Sequence, residues 1–279
     1  MRHGFVVLFL GVLCIAACGG HALAGTATGL VVYVQSADLI RLEIRTSTDA
    51  TVQTGSTYMV SIVGVESLGD CSSRSFAAQA FAEAILLNRE LQLDVLEPPS
   101  AGIPQTLRAV LSFAPVSGSI GSACYFFSDC SPAGVLLTQG MAVIASDDFF
   151  DAGNGKYPAP WLEENARTAR SGLWRDFQQR PIQISHADPE AEYIVLLNTS
   201  YEAQSLAGWS LTDGEGCYRF PDDTPTLAAS APRLVTRAEY NPFGATRGLS
   251  LDKEQERLFL LSPDGYIVDF IEWGMPWQS

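Results

Sequence analysis

The stretch that decides the fold begins at Trp161 and reads Trp161-Leu162-Glu163-Glu164-Asn165-Ala166-Arg167-Thr168-Ala169-Arg170-Ser171-Gly172-Leu173-Trp174. It predicts a helix that begins near Pro160, the last helix before the sequence pattern changes. After Arg180-Pro181 the pattern consists of strands and turns alone. The chain of 279 residues, 47% of them hydrophobic, therefore divides into two domains with separate cores.

The part that precedes this helix alternates strand and helix patterns. An Ala-rich segment predicts a helix over residues 74–90, and a shorter one is expected at 134–140. Between them lies an irregular insertion at 115–133, rich in Ser, Gly and Pro, which two cysteines would close with a disulfide. Strands are expected at 30–34, 39–44, 58–65, 91–96, 108–113 and 141–146. This order predicts a small antiparallel β-barrel of the OB type with packed helices.

Residues 161–174 resemble the closing helix of the staphylococcal-nuclease-like family, and the resemblance covers residues 30–174 within a domain expected at 30–180. The resemblance implies a phosphodiesterase site at the rim of the barrel. In that family two aspartates help to hold Ca²⁺, a glutamate positions or activates water, and two arginines stabilise the phosphorane.

Most of those catalytic charges are absent at the matching positions of this chain. The family's Asp-Gly-Asp-Thr corresponds to Ser36-Ala37-Asp38-Leu39, which keeps only Asp38. The second signature corresponds to Ser61-Ile62-Val63-Gly64-Val65-Glu66-Ser67-Leu68-Gly69. There the resemblance puts Glu66 in place of the second aspartate, Ser61 in place of an arginine and Gly69 in place of the catalytic glutamate.

Two neighbouring residues could replace the missing ones. Asp70 could stand in for the glutamate if the loop is shifted by one residue, because a loop can absorb such a shift. The second arginine corresponds to Leu107, and Arg108 follows it, but in an extended segment Arg108 would face away from the site. Loss of a single charge-stabilising donor costs roughly 100- to 1000-fold in rate. We therefore expect a catalytically degenerate domain.

The retained acids have two interpretations. Asp38 and Glu66 are either solvated acids at the barrel rim or a weak Ca²⁺ site. No cofactor is required by the first interpretation, and Ca²⁺ is the one candidate under the second.

The second domain has the pattern of a β-sandwich. Strands are expected at 193–198, 209–212, 257–261 and 266–273, with a hairpin turn at Ser262-Pro263-Asp264-Gly265. Two phrases, at 206–213 and 264–274, resemble the lamin-tail domain, an immunoglobulin-like sandwich, over a domain expected at 184–279. Such domains suggest attachment modules. We expect Trp209 and Trp273 in the core and Trp277 as an exposed binding contact.

The N-terminus predicts export. Residues 5–17 form an apolar stretch that suits a signal peptide and is too short to span a bilayer. Ile15-Ala16-Ala17-Cys18 resembles a lipobox, which would make Cys18 a lipidated N-terminus, whereas Ala22-Leu23-Ala24 suits cleavage that releases the chain. We favour the lipobox within a signal segment of 1–24, and expect a flexible tether at 25–29.

Four cysteines remain after export, and an even number in an exported chain predicts two disulfides. A bond between Cys71 and Cys217 would link the two domains covalently, but the sequence leaves all three pairings open. These cysteines are Cys71, Cys124, Cys130 and Cys217.

The charge balance disfavours nucleic acid as a partner. With 17 Lys and Arg against 31 Asp and Glu, the net charge is -14, whereas nucleic-acid affinity depends largely on basic residues. We expect an exported, surface-tethered binding or scaffolding protein, whose partner is a protein or a component of the cell envelope. It would touch the membrane only through its lipid. The alternative is a divergent secreted Ca²⁺-dependent nuclease of DNA or RNA that uses Asp38, Glu66, Asp70 and Arg108.

Overall fold

The computed structural model describes residues 25–97, 99, 105–113, 131–145, 159–242 and 248–275. Several expectations lie outside these residues: the signal segment 1–24, the lipidation at Cys18, most of the irregular insertion and the contact at Trp277. The same is true of Cys124 and Cys130.

The first domain is a closed β-barrel with packed helices, as the sequence predicts. The elements are β1 (Gly25–Val34), β2 (Leu39–Ser47), β3 (Thr57–Ile62), β4 (Val65–Glu66), α1 (Ser75–Leu86), β5 (Glu90–Glu97), β6 (Thr106–Phe113), α2 (Pro132–Thr138), β7 (Val143–Ile144) and α3 (Ala159–Thr168). The strands follow one another around the barrel in the order β1-β2-β3-β6-β5, and β5 pairs with β1 to close it. The expectation of an antiparallel barrel is wrong at one pair, because β3 and β6 run parallel, whereas the other barrel pairs are antiparallel.

Side-chain periodicity explains this barrel. Along β2 the apolar side chains of Ile40, Leu42 and Ile44 are buried, whereas Arg41 between the first two and Arg45 after the last are exposed. In α1 the buried residues Ala78, Ala82 and Leu86 recur every four positions and lie on one face. Both elements therefore contribute to the same core, which fills the barrel.

The prediction of a flexible tether at 25–29 is wrong. Residues 25–29 form the first half of β1, and they pair with β5, beginning with Gly25 opposite Val95. Ala27 is only 3% exposed in the barrel core. The glycine and alanine content suggests flexibility in isolation, but pairing with strands on both sides satisfies the backbone and holds this segment.

The second domain is an immunoglobulin-like sandwich, which confirms the predicted fold class. One sheet has the order β11-β10-β13-β14 and the other the order β12-β9-β8. The elements are β8 (Ile182–Asp188), β9 (Tyr193–Asn198), β10 (Ser210–Thr212), β11 (Cys217–Arg219), β12 (Pro232–Thr236), α4 (Arg237–Tyr240), β13 (Glu256–Leu261) and β14 (Ile267–Trp273). The predicted pattern did not include β8, β11 and β12, which are short or carry several polar residues.

The hairpin turn between β13 and β14 forms where the sequence predicts it. The Gly265 amide donates to the Ser262 carbonyl at 2.8 Å, and Gly265 has a positive φ of 79°. Trp209 is buried in the sandwich core, and Trp273 is partly buried against it. None of the helices among the described residues is long and apolar enough to cross a membrane.

Candidate functional site

Asp38 lies in the turn between β1 and β2, where the first catalytic motif was expected. Its carboxylate accepts a hydrogen bond of 2.6 Å from the Ser36 hydroxyl. Its backbone carbonyl accepts a bond of 2.8 Å from the Ile62 amide, so the end of β3 fixes the turn. Asp38 is therefore a partly exposed acid that is hydrogen-bonded to Ser36 of the same turn.

Glu66 lies at the contact between the two domains. Its carboxylate packs against Gly214, so closely that a Cβ atom on Gly214 would overlap the carboxylate. Gly214 also has a positive φ of 96°, which favours glycine at that position. The sandwich therefore covers the Glu66 side chain.

The residues that follow Glu66 form the rest of this contact. Leu68 is 2% exposed in an apolar cluster that contains residues of both domains. Cys71 forms a disulfide with Cys217 of β11. The Ser72 hydroxyl donates to the Gly265 carbonyl at 2.6 Å, and the Ser73 hydroxyl to the Asp264 carbonyl at 2.8 Å. We call residues 66–73 the docking segment, because contacts with the sandwich recur along it.

Gly69 and Asp70 lie in this docking segment. They belong to a short 3-10 helix, Gly69–Cys71, immediately before the buried half of the disulfide. A Cβ atom added to Gly69 would lie 3.9 Å from the Gly214 carbonyl oxygen of the sandwich, which is ordinary van der Waals contact. The position of the Asp70 side chain is outside the described part of the structure.

Arg108 lies on the barrel strand β6. Leu107 before it is fully buried in the barrel core, whereas Arg108 donates to the Glu97 carboxylate at 2.8 Å. The alternation of side chains along β6 explains the two directions. Leu107 therefore fills the barrel core, and Arg108 pairs with Glu97 at the end of β5.

The chemistry available at this rim is limited. A phosphorane needs fixed cationic donors, and the two positions that would supply them carry Ser61 and Leu107. Among the described residues, no group of three or more His, Cys, Asp or Glu side chains is arranged to hold a metal ion. The two retained acids lie in different surroundings, Asp38 at the turn between β1 and β2 and Glu66 against Gly214 of the sandwich.

A buried ionic cluster joins the domains next to this rim. Arg257 of β13 donates to both carboxylate oxygens of Glu163 in α3, at 2.9 and 2.6 Å, and to Glu272 of β14 at 3.1 Å. It also donates to the carbonyl of Ile144 at 3.2 Å. Burial opposes the charge on Arg257, but the attraction of Glu163 and Glu272 outweighs it, so the pKa of Arg257 lies above its ordinary value.

Apolar residues surround this ionic cluster. Trp174, the end of the stretch that decides the fold, is fully buried and contacts Phe259 and Phe270 edge to face, at centroid distances of 6.3 and 5.7 Å. The apolar cluster contains residues of both domains. From the barrel side come Leu68, Val143, Ala166, Leu173 and Trp174, and from the sandwich Phe259, Leu261 and Ile267. The last helix of the barrel therefore supplies both the charge and the apolar surface that the sandwich covers.

Two arginines from different parts of the chain stack on one tyrosine of the sandwich. The guanidinium carbons of Arg74 and Arg175 lie 4.3 and 3.7 Å from the centroid of the Tyr266 ring. Arg74 follows the docking segment, and Arg175 lies in the connection between the domains. Such cation–π contacts add to the ionic and apolar contacts of the same junction.

Arg257 and Glu163, which join the two domains, were not identified from the sequence. One signal was present: Glu256–Leu261 contains an unbroken apolar run, which is typical of a strand buried on both faces. An ordinary sandwich strand alternates because one face meets solvent. This run could have indicated a second covered face, but not which surface covers it.

The comparisons with known proteins identify the class of the second domain. Residues 176–275 match the family model of the lamin tail domain. No curated protein matches the chain significantly. Residues 176–275 are therefore a lamin tail domain, joined to a closed barrel that is consistent with an OB fold.

Proposed function

We propose that this protein is an exported, surface-tethered binding or scaffolding protein, in which a catalytically inactive nuclease-like barrel and a lamin tail domain form one rigid unit. Its partner is a component of the cell envelope or a protein at the cell surface. Cys18 provides the lipid attachment, and Ca²⁺ is not required.

The observation that carries this proposal is the use of the docking segment. In a nuclease-like barrel this segment would border the cleft that admits the phosphodiester. Here Glu66 packs against Gly214, and Cys71 is bonded to Cys217 of the other domain. A substrate strand would have to displace a covalently linked domain to reach Glu66.

Electrostatics supports the same proposal. Removing one preorganised donor costs roughly 100- to 1000-fold in rate, and the corresponding positions lack two arginines and a glutamate together. Arg108 is paired with Glu97 at 2.8 Å, so recruiting it to a phosphate would break an ion pair. The net charge of -14 further disfavours a polyanionic substrate.

The disulfide supports export. Bonds such as Cys71–Cys217 form and persist in oxidising compartments, and are rare in a reducing cytosol. This agrees with a signal segment that ends before the first strand, and with either of the two cleavage positions.

The test is an assay for phosphodiester hydrolysis. The chain from Gly25 onward is incubated with denatured DNA or RNA and Ca²⁺, and released nucleotides are measured beside a reaction that contains a chelator. We expect no release above the chelator control, and the same result for Asp38→Ala. Release that both the chelator and Asp38→Ala abolish would overturn the proposal, in favour of a nuclease that uses Asp38, Glu66, Asp70 and Arg108.

A further inference from the structure

A cleft opens between the two domains, beside the buried ionic cluster. Its cavity volume is about 430 Å³, which lies in the range of small-molecule sites. The last turn of α3 forms one wall with Glu164, Arg167 and Thr168, and the start of β14 forms the other with Asp269 and Phe270. Because both domains contribute walls, the cleft exists only in the docked arrangement.

The acidic groups of this cleft already have partners in the protein. Glu164 forms an ion pair with Arg167 and accepts a hydrogen bond of 3.1 Å from the Thr168 hydroxyl. Asp269 accepts a hydrogen bond of 2.8 Å from the Ile184 amide, which links the two sheets of the sandwich. These carboxylates therefore have less capacity left to bind a cationic ligand.

The basic side chain of Arg170 differs in this respect. It is exposed at the cleft, and its guanidinium has no hydrogen-bond or ion-pair partner in the described part of the chain. Arg170 adopts a positive φ of 53° at the end of α3, where its amide donates to the Arg167 carbonyl at 3.1 Å. Glycine is preferred at such a position, so an arginine there carries a conformational cost.

Gln178 repeats this pattern on the neighbouring part of the cleft. It also has a positive φ, 54°, and its exposed side-chain amide can donate and accept hydrogen bonds. Two of the non-glycine residues with a positive φ thus line one cleft. Backbone strain of this kind occurs often at binding sites.

Aromatic rings complete the lining. Phe177 and Phe270 lie 5.9 Å apart between centroids, and the Arg167 guanidinium carbon lies 5.4 and 5.0 Å from them. The two phenyl rings and the Glu164 carboxylate therefore hold the Arg167 guanidinium in place. Arg170 remains the cation that is available to a ligand.

We propose that this interdomain cleft binds a carboxylated sugar, with the carboxylate on Arg170 and the hydroxyl groups on Gln178 and Thr168. The inference rests on the proposed function and names the ligand class of the binding protein. A single uronic acid unit carries one carboxylate and several hydroxyl groups, which matches the one available guanidinium and the amide and hydroxyl side chains of the lining.

The charges favour a carboxylate over a phosphate. One available guanidinium matches one carboxylate in a bidentate pair. A phosphate monoester carries about 1.5 to 2 negative charges, and the second charge would meet Glu164 and Asp269 without a further free cation. Hydroxyl groups match the amide and hydroxyl side chains of the lining, and a sugar ring can contact the phenyl groups through its C–H face.

The test measures binding of the methyl glycoside of galacturonic acid, which carries one carboxylate, to the chain from Gly25 onward by titration calorimetry. The methyl ester of the same sugar keeps the shape and loses the charge. We expect saturable binding of the acid and none of the ester. Arg170→Gln should weaken binding at least about tenfold, because the variant loses the charge-assisted hydrogen bonds to the carboxylate. The matched control is Arg219→Gln, an exposed arginine on β11 away from the cleft, and it should leave binding unchanged.

Several results would overturn the inference: equal binding of acid and ester, no saturable binding at millimolar concentration, or an unchanged affinity in Arg170→Gln. Tighter binding of inorganic phosphate or single-stranded DNA than of the uronic acid glycoside would also overturn it. Circular dichroism of each variant checks that it is folded. A failed titration together with an inactive nuclease assay removes only the ligand class, whereas nuclease activity removes the proposed function itself.

Discussion

Among single residues, Glu256 couples the stability of the protein to pH most directly. It is 6% exposed at the start of β13. Burial raises its pKa to about 8, and the neighbouring charges of Asp213 and Asp252 act in the same direction. Its carboxylate accepts hydrogen bonds from the Arg257 and Asp252 amides at 2.9 and 3.4 Å, which oppose this rise only in part.

The expected result is a protein that loses stability as pH rises. In the unfolded chain Glu256 ionises near its ordinary pKa, whereas in the folded chain it stays protonated until about pH 8. Between these values the folded state binds more protons, so the free energy of unfolding falls from about pH 4.5 to pH 8, by on the order of a few kcal/mol. Urea unfolding at pH 5, 6.5 and 8 measures this, and Glu256→Gln should flatten the dependence. A slope that is unchanged in Glu256→Gln would contradict the assignment.

Among the elements, β13 holds the two domains together. All six of its residues are buried. Leu258 and Leu260 face the sandwich core, and Arg257, Phe259 and Leu261 face the barrel. A sandwich strand normally leaves one face to water, so the barrel takes the place of solvent on this sheet.

The ion pair between β13 and α3 gives a prediction at this scale. Glu163→Gln leaves the buried Arg257 without its closest carboxylate, and breaking a buried pair in this way costs about 3 to 5 kcal/mol. We expect a loss of about 3 kcal/mol in the free energy of unfolding, because Glu272 still partly compensates the charge. Glu164→Gln, the exposed neighbour on the same helix, should change it by less than about 1 kcal/mol. Equal effects of the two substitutions would contradict the role of Glu163.

At the scale of the whole molecule, the disulfide closes a long covalent loop in the described part of the chain. Cys71 and Cys217 are 146 residues apart and belong to different domains. The apolar cluster, the docking segment and the Arg257 pairs lie in the same junction. We therefore expect these contacts to make the two domains unfold together, with the disulfide adding to their stability.

Removing the bond should lower stability without separating the domains. In the chain-entropy description a loop of this length contributes up to about 5 kcal/mol, and measured effects are commonly about 2 to 4 kcal/mol. We expect Cys71→Ser with Cys217→Ser to lower the free energy of unfolding by that amount and to keep one cooperative transition. Urea unfolding followed by tryptophan fluorescence and by circular dichroism measures both properties. Two resolved transitions would show that the non-covalent junction is too weak.

The candidate site shows where local pattern stops being informative. The direction of Leu107 and Arg108 follows from alternation along one strand. The position of Glu66 does not, because it depends on Gly214, nearly 150 residues away along the chain. The same limit applies to Arg257, whose three charged and polar partners come from α3, β7 and β14.

Local sequence patterns were enough to predict the fold class, the helix that begins near Pro160 and the hairpin turn between β13 and β14. These follow from periodicity of 2 or 3.6 residues and from turn residues, which act over a few positions. Three features became clear only in the folded molecule: residues 25–29 are strand, Cys71 pairs with Cys217, and the sandwich covers the docking segment. Each of these depends on contacts between distant segments, whose free energy is gained only after the chain has folded and brought them together.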